Sequence, residues 1–393
     1  MALINDITDL QLLLMIATAC LCLMACTAIL WRVVPLARHY KRQTKLLAQQ
    51  AEEPVERASV IVFAHDDANS LAELLPRILC QNYQPGFEVI VVNDGESREV
   101  ADIVSHLKNV HPNLYFTSSP EGARNLSRKK LSLTLGIKAA NNPVVVNITS
   151  GAVVTSDNWL QGIMRHFRPN SPVEVVLGIS GAPLNDDHAP GALARAFDSA
   201  IDTLSWTAPA AKGRPWRGTE NNLAYRRNLF FDNKGFSSHL NLRDGDDDIF
   251  VSEIARHDNT ALELTPDTFV EVPGENHPSA MSEQMSRRRF TRRYIRHRPR
   301  FAGVIASLCY ALAPLPLIAT PIVGHMGLET WIVWGCLLAL WFCTGLLWNP
   351  ALRILHARRK PIFTPLWALT RPIRIVNRRL RSMIIHTKHY TWE

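Results

Sequence analysis

The sequence predicts an α/β domain on a mostly parallel sheet, carried by three membrane-crossing helices. Three observations lead there. Between residues 57 and 160, short unbroken apolar runs alternate with helical patterns; strands buried on both faces of a parallel sheet read this way. Three longer stretches, Leu10 to Trp31, Phe301 to Gly324 and Thr330 to Leu352, carry no charged residue. As a helix, each is long enough to cross about 30 Å of hydrocarbon. Basic residues flank all three on one side.

The 393 residues are enough for about two domains. The overall mean hydropathy of −0.03 hides a strong clustering of the apolar residues. A cleaved signal peptide is the rival for the first stretch, but its apolar core would span about 7–15 residues behind a basic start. Here the run is longer, and MALINDITD has no basic residue. Pro314, Pro316 and Pro321 interrupt the second stretch, as membrane helices tolerate. Arg32, Arg38, Lys41, Arg42 and Lys45 follow the first span. Arg287 to Arg300 precede the second, and Arg353, Arg358, Arg359 and Lys360 follow the third. With alternating spans all of these lie on the cytoplasmic side. The organisation read from the sequence is an external N-terminus (1–9), a first span (10–34), a partly helical linker (35–56) and a cytoplasmic domain (57–300). A second span (301–324), a short external loop (325–329), a third span (330–352) and a basic amphipathic tail (353–393) follow.

The net charge of +8 belongs largely to these membrane flanks. Nucleic acid is excluded as a partner, because the basic residues are not interleaved with aromatics on a soluble face. The tail, with Arg371, Arg374, Arg378, Arg379 and Arg381 among apolar residues, reads as a helix lying on anionic membrane lipids. Six of seven cysteines fall inside the spans, with no spacing for zinc or a disulfide frame.

Within the domain the elements follow in order. ASVIVFAH is a buried strand. DDANSLAELLPRILCQN has helical spacing at Leu71, Leu74, Leu75, Ile78 and Leu79. FEVIVVND is a second strand and SREVADIVSHLKNV an amphipathic helix. NLYFTSS, SRKKLSLTLGIKAANN and PVVVNIT read as strand, helix and strand, and Ser156 to Trp159 opens another helix. Ligands of such sheets bind beyond the carboxyl ends of the strands. That rule selects the turns at His65-Asp66-Asp67, Asn93-Asp94-Gly95 and Thr149-Ser150-Gly151-Ala152.

Five segments in this order, SVIVFAHDDANSL, VIVVNDGESRE, KKLSLTLGIKAA, NLAYRRNLFFDNKGFSSHLNLRDGDDDIFV and SEQMSRRRF, resemble the family 2 glycosyltransferases. The similarity covers roughly Arg57 to Arg300, and is nearest to a bacterial membrane-anchored branch with one leading and two trailing spans. It implies the GT-A fold, a Rossmann-like, mostly parallel sheet between helices. It also implies transfer of a sugar from a nucleotide-sugar donor to an envelope glycan or lipid-linked acceptor at the bacterial cytoplasmic membrane.

Glycosyl transfer needs a base for the acceptor hydroxyl and stabilisation of the departing diphosphate. The resemblance assigns the base to GDDDIFV: Asp246 takes its place in the Glu-Asp-x-x-Leu frame, with Gly245 replacing Glu, and Asp247 is the alternative one position on. A run of acids opening a helix is also what the macrodipole favours. On the nucleotide side the resemblance implies Asp67, Asp94, Lys129 and Ser150. Lys129 belongs to a basic cluster with Arg124, Arg128 and Lys130 that reads mostly as a solvated helix face, with Lys129 or Lys130 the candidate for nucleotide contact. On the acceptor and diphosphate side it implies Asn222 and Arg289, helped by Arg287 and Arg288. In the terminal Gln-x-x-Arg-Trp motif, the frame that keeps Arg289 puts Ser286 for Gln and Phe290 for Trp. Guanidinium groups bind phosphate bidentately; these arginines also suit a cytoplasmic membrane surface.

The family's Asp-x-Asp, which holds ribose and a divalent cation, is Ser150-Gly151-Ala152 here. Mg²⁺ or Mn²⁺, the cofactor the resemblance implies, is therefore weakened, and no metal ligand is assigned. Asp157 reads as a helix cap. The rival to an enzyme is a degenerate member that binds nucleotide, glycan or a partner at the membrane without turnover.

Overall fold

The computed structural model describes residues 2–48, 56–65, 67–95, 97–119, 126–169, 171–184, 191–275, 277–295, 308–309, 312 and 328–384. The elements run α1 (Ala2–Leu47), β1 (Ala58–Ala64), α2 (Ala68–Leu79), β2 (Phe87–Asn93), α3 (Arg98–Lys108), β3 (Leu114–Ser118), α4 (Arg128–Ala139) and β4 (Val144–Thr149). They continue with β5 (Val153–Val154), α5 (Trp159–Met164), β6 (Val175–Leu177), β7 (Ser180–Gly181), α6 (Ala192–Ala210), β8 (Leu223–Arg226) and α7 (Arg227–Asp232). Last come α8 (Ile249–Ile254), β9 (Thr260–Leu262), β10 (Val270–Glu271), α9 (Pro278–Thr291), α10 (Leu328–Ile354) and α11 (Thr364–Ile384). By internal contacts the chain forms two compact units. One comprises Met1–Arg38, Ala196–Ala208 and Pro299–Ile385; the other comprises His39–Arg195, Pro209–Arg298 and His386–Glu393.

The second unit is the expected α/β domain. Its main sheet has the order β3-β2-β1-β4-β8-β6-β9. β3, β2, β1 and β4 are parallel, β8 runs against both β4 and β6, and β9 runs with β6. Every residue of β1 is buried. At about 1.5–3 kcal/mol per fully buried Val, Leu or Ile, two-sided burial is what fixes these strands. The five apolar positions of α2 are its buried face. Asp67, Ser97 and Ser127 cap α2, α3 and α4 through their side chains. A small sheet, β5-β10-β7, adjoins.

Register sets the site. Ala64 pairs Asn93, Phe63 pairs Thr149, and Asn93 pairs Ser118. The residues that follow, His65, Asp94, Ser150 and Ser119, therefore emerge side by side at the carboxyl edge. Gly136 seats α4 against the sheet: a Cβ there would lie 2.7 Å from both Ile61 Cγ2 and Val92 Cγ2. Only glycine allows so close an approach.

Two helices among the described residues are long and apolar enough to cross a membrane: Leu12–Leu47, which belongs to the first unit as far as Arg38, and Trp331–Ile354. These answer to the first and third expected spans. The second, 301–324, lies outside the described residues except Leu308, Cys309 and Leu312. Three spans were expected and two candidates are found. α1 stays helical through Pro35 to Leu47, across much of the expected linker.

The tail is helical as expected in α11, but three of its five named arginines are placed differently from a lipid-facing set. Its Arg371, Arg374 and Arg378 do not face outward but converge on Asp198 of α6, which is 0% exposed. Arg374 binds that carboxylate through two nitrogens, at 2.9 and 2.8 Å, and Arg378 binds it at 2.7 Å. Phe197, beside Asp198, packs against Trp348 and Trp367. The exposed residues of α11 are mixed: Ile373 is 71%, Val376 53% and Leu380 54% exposed, beside exposed Asn377 and Arg379. A buried carboxylate demands cations, and that demand turns the helix over.

Candidate active site

Four segments of the α/β domain meet at the carboxyl edge. The first is the nucleotide-side pocket predicted around Asp94. Its carboxylate is buried and accepts hydrogen bonds from Ser119 Oγ and Arg128 Nε, both at 3.0 Å. His65 Nδ1 lies 3.2 Å from its other oxygen. The His65 ring stacks on Phe63 and its side chain is largely exposed. A fixed acid beneath an exposed ring is an arrangement that can hold a flat, hydrogen-bonding group.

The second segment is the turn after β4. Ser150 is buried and its backbone N–H donates to Phe63 O at 2.8 Å. Ala152 is buried in the apolar core. Asn221 Oδ1 accepts from both the Thr149 backbone and hydroxyl. Asp67 approaches this turn: a Cβ on Gly151 would stand 3.9 Å from Asp67 Oδ2. Its other oxygen accepts from Ser70 N as the cap of α2. The turn itself offers a hydroxyl and a methyl, not the paired carboxylates that hold a divalent cation. Among the described residues, no three His, Cys, Asp or Glu side chains converge as a cation cage. The donor set does not fit the family's metal.

The third segment is the start of α4. Lys129 Nζ bridges Asp246, at 2.8 Å, and Glu220, and lies 6.0 Å from the centroid of the Phe63 ring. Burial alone would lower its pKa, but Asp246 and Glu220 outweigh that and raise it. Glu220 answers by falling to about 2, chiefly through Lys129, with Arg287 and Arg288 adding to the pull.

The fourth is the acid segment with α9. Asp244 meets Arg287 at 3.5 Å. Asp246 is buried in its pair with Lys129. Asp248 caps α8, accepting from Ile249 N at 2.7 Å, and its second oxygen accepts from the Thr291 hydroxyl. Asp247, half-buried, is the acid left with its side chain in none of these pairs. Burial, then Asp248 and Asp246, push its pKa up to about 8, against Arg217.

Two sequence frames look different in this geometry. Gly245 has φ of 118°, and a Cβ there would stand 2.6 Å from Ile249 Cδ1. A glutamate in that place would be strained and crowded. Moving the frame one residue on puts Asp246 on Glu, Asp247 on Asp and Phe250 on the apolar position. In α9, Arg287 and Thr291, one turn apart, face the acid segment. Arg289 is exposed. Arg287 carries a raised pKa, since Glu220 and Asp244 overcome the effect of its burial. Gln284-Met285-Ser286-Arg287 keeps both residues of Gln-x-x-Arg, and Gln284 Nε2 donates to Glu275 at 2.8 Å. Reading that spacing first would have put Arg287, expected only as a helper, in the leading place given to Arg289.

Asn222 stands apart from the other expected site residues. It is buried, donating to Ile179 O at 2.9 Å and Thr268 O at 2.7 Å and accepting from Trp159 Nε1 at 3.1 Å. Its amide is occupied in holding three loops together.

Comparison with known proteins finds, over part of the chain, the family that the sequence motifs resemble. Residues 59–235 match the model for glycosyl transferase family 2; the acid segment and α9 lie beyond the matched range. No curated protein matches the sequence. Among solved structures, a Pyrobaculum calidifontis mannosyltransferase determined with GDP-Man and Mn²⁺ is similar at TM-score 0.50 and 16% identity, over 91% of this chain and 99% of that one. The S. aureus TarS 1–349 structure with UDP-GlcNAc is similar at TM-score 0.41 and 16% identity, over 81% of this chain and 92% of that one. At 16% identity the likeness to the mannosyltransferase is one of fold.

Proposed function

We propose that this chain, a glycosyl transferase family 2 protein over residues 59–235, is an inverting transferase. It takes a sugar from a nucleotide-sugar donor and delivers it to a hydroxyl of an envelope glycan or lipid-linked acceptor. The observation that carries the reading is the meeting of the Asp94 pocket and the acid segment around one helix, α4. Arg128 reaches Asp94 and Lys129 reaches Asp246 from adjacent positions. The nucleotide lies over Asp94, and the acceptor hydroxyl gives its proton to Asp247. What supports Asp247 over Asp246 is its freedom from the Lys129 pair and a pKa near working pH, where a general base is most effective. Arg287 and Arg288, beside Glu220, are the cations available to the departing diphosphate. Arg289 is exposed and takes no part in this reading.

Calorimetry on detergent-purified protein tests this. UDP or GDP is expected to bind with an affinity that changes less than about threefold on adding Mg²⁺ or Mn²⁺, because Ala152 holds no cation. Arg287→Ala is expected to weaken binding about tenfold or more, since a charge-assisted hydrogen bond contributes about 1.5–3 kcal/mol; Arg289→Ala should leave it nearly unchanged. Strong metal dependence in the native chain would refute the cation account. No nucleotide binding under any condition would favour the scaffold reading.

The same reading puts the α/β domain on the cytoplasmic side of the bacterial inner membrane. A reporter active only outside the cytoplasm, fused after Asn276, is therefore expected to stay silent. Activity there would reverse the topology.

A further inference from the structure

The reaction just outlined makes no use of Lys130, yet its side chain is fully buried beside the acids. Its Nζ donates to three backbone carbonyls, His239 O at 2.7 Å, Leu242 O at 3.0 Å and Asp244 O at 2.8 Å. An ammonium has three donors, and all three end on one loop. Ser127, one turn earlier, adds two more bonds: its N–H to Leu240 O and its hydroxyl to Arg243 O, both at 2.8 Å. The loop from His239 to Asp244 leads directly into the acid triplet. It contains no long regular element to hold it; its 3₁₀ turn ends at His239.

We propose that Lys130 is a positioning residue, fixing the loop so that Asp247 is aimed at the acceptor hydroxyl. The inference rests on Asp247 as the base. α4 is a firm mount, since Gly136 seats it on β1 and β2 without a gap. One helix therefore sets the acid segment twice, through Lys129 on the Asp246 side chain and Lys130 on the preceding backbone. Carbonyl oxygens alone would leave a buried ammonium expensive; the surrounding carboxylates lower that cost. The titratable groups facing it are Lys129 on its own helix and Asp244, Asp246, Asp248 and His239 from the loop side. Burial lowers the Lys130 pKa to about 8, against the pull of Asp246, Asp244 and Asp248. Burial, then Lys130, lowers His239 to about 4, so its ring brings no competing charge at neutral pH.

The test uses the full-length protein in detergent with Lys130→Met, which keeps the volume and removes the donors. A misplacement of about 1 Å can cost about 100-fold in rate. The expected result is kcat lowered by about that factor with the donor dissociation constant within about twofold. The acid limb of the pH–rate profile should also move to higher pH, because a cation is lost beside the triplet; loss of packing alone would admit water to the buried acid and move it to lower pH. Ser127→Ala, a milder change, should lower kcat several-fold with donor binding intact, and serves if Lys130→Met does not fold. Unchanged kcat in either folded variant, or an unmoved acid limb in Lys130→Met, overturns the proposal. If Asp247→Asn is itself active, the assignment of the base is what has failed. If Asp247→Asn is inactive and Lys130→Met is normal, only this inference falls.

Discussion

Asp247→Asn is expected to lower turnover by about 10²–10⁴, the range for a lost general base, with nucleotide affinity little changed. The amide keeps the size and removes the proton acceptor. In the native protein the carboxyl is pushed up to about 8 by burial and by Asp248 and Asp246. A base must be ionised to accept a proton, so the rate should rise about tenfold per pH unit as pH climbs towards that value. The Asp247→Asn variant should lack this limb. Asp246→Asn should behave differently: it releases Lys129 from one of two partners and disturbs both rate and the shape of the site. The assignment goes back to Asp246 if Asp246→Asn keeps donor binding but loses turnover and its pH limb while Asp247→Asn remains active.

The second large effect is expected on stability. Asp198→Asn leaves Arg371, Arg374 and Arg378 without their carboxylate. Removing one partner of a buried ion pair costs about 3–5 kcal/mol. The arginines here keep some contact with water, which favours the lower end. Thermal unfolding followed by fluorescence, with Trp348 and Trp367 close to Phe197 as local reporters, should show an early transition absent from the native protein. Asp198→Glu, which keeps the charge, should recover most of the loss. An unchanged melt for Asp198→Asn would mean that the three arginines are satisfied elsewhere.

The sheet was legible in the sequence because buried parallel strands leave a local record. VIVFA and VIVV are unbroken apolar runs at the heart of β1 and β2, which lie where they were expected. The three turns at the strand ends followed from that, and register places them together. The finer frames were harder. Gly245 looks like a lost glutamate until its backbone angle is known. Arg287 and Arg289 are alike as letters, and only the phase of α9 separates them. Asn222 sits among motif residues, but its partners Ile179 and Thr268 are 43 and 46 positions away. The inward turn of the α11 arginines was unreadable for the same reason. The helix is amphipathic, as its spacing says, but which face meets the protein depends on a single acid far back in the chain.

That distance has a consequence for how the protein is made. Asp198 precedes Arg374 by 176 residues. At about 5–20 residues per second of synthesis, its partners emerge on the order of ten to thirty seconds after it does. Throughout that interval the carboxylate has no cation from α11, and its segment has every reason to stay hydrated. The unit containing it is assembled from three separated stretches, so this joint closes only after α11 has been made. A chain that stops before Arg371 can complete its sheet but leaves Asp198 without these three arginines.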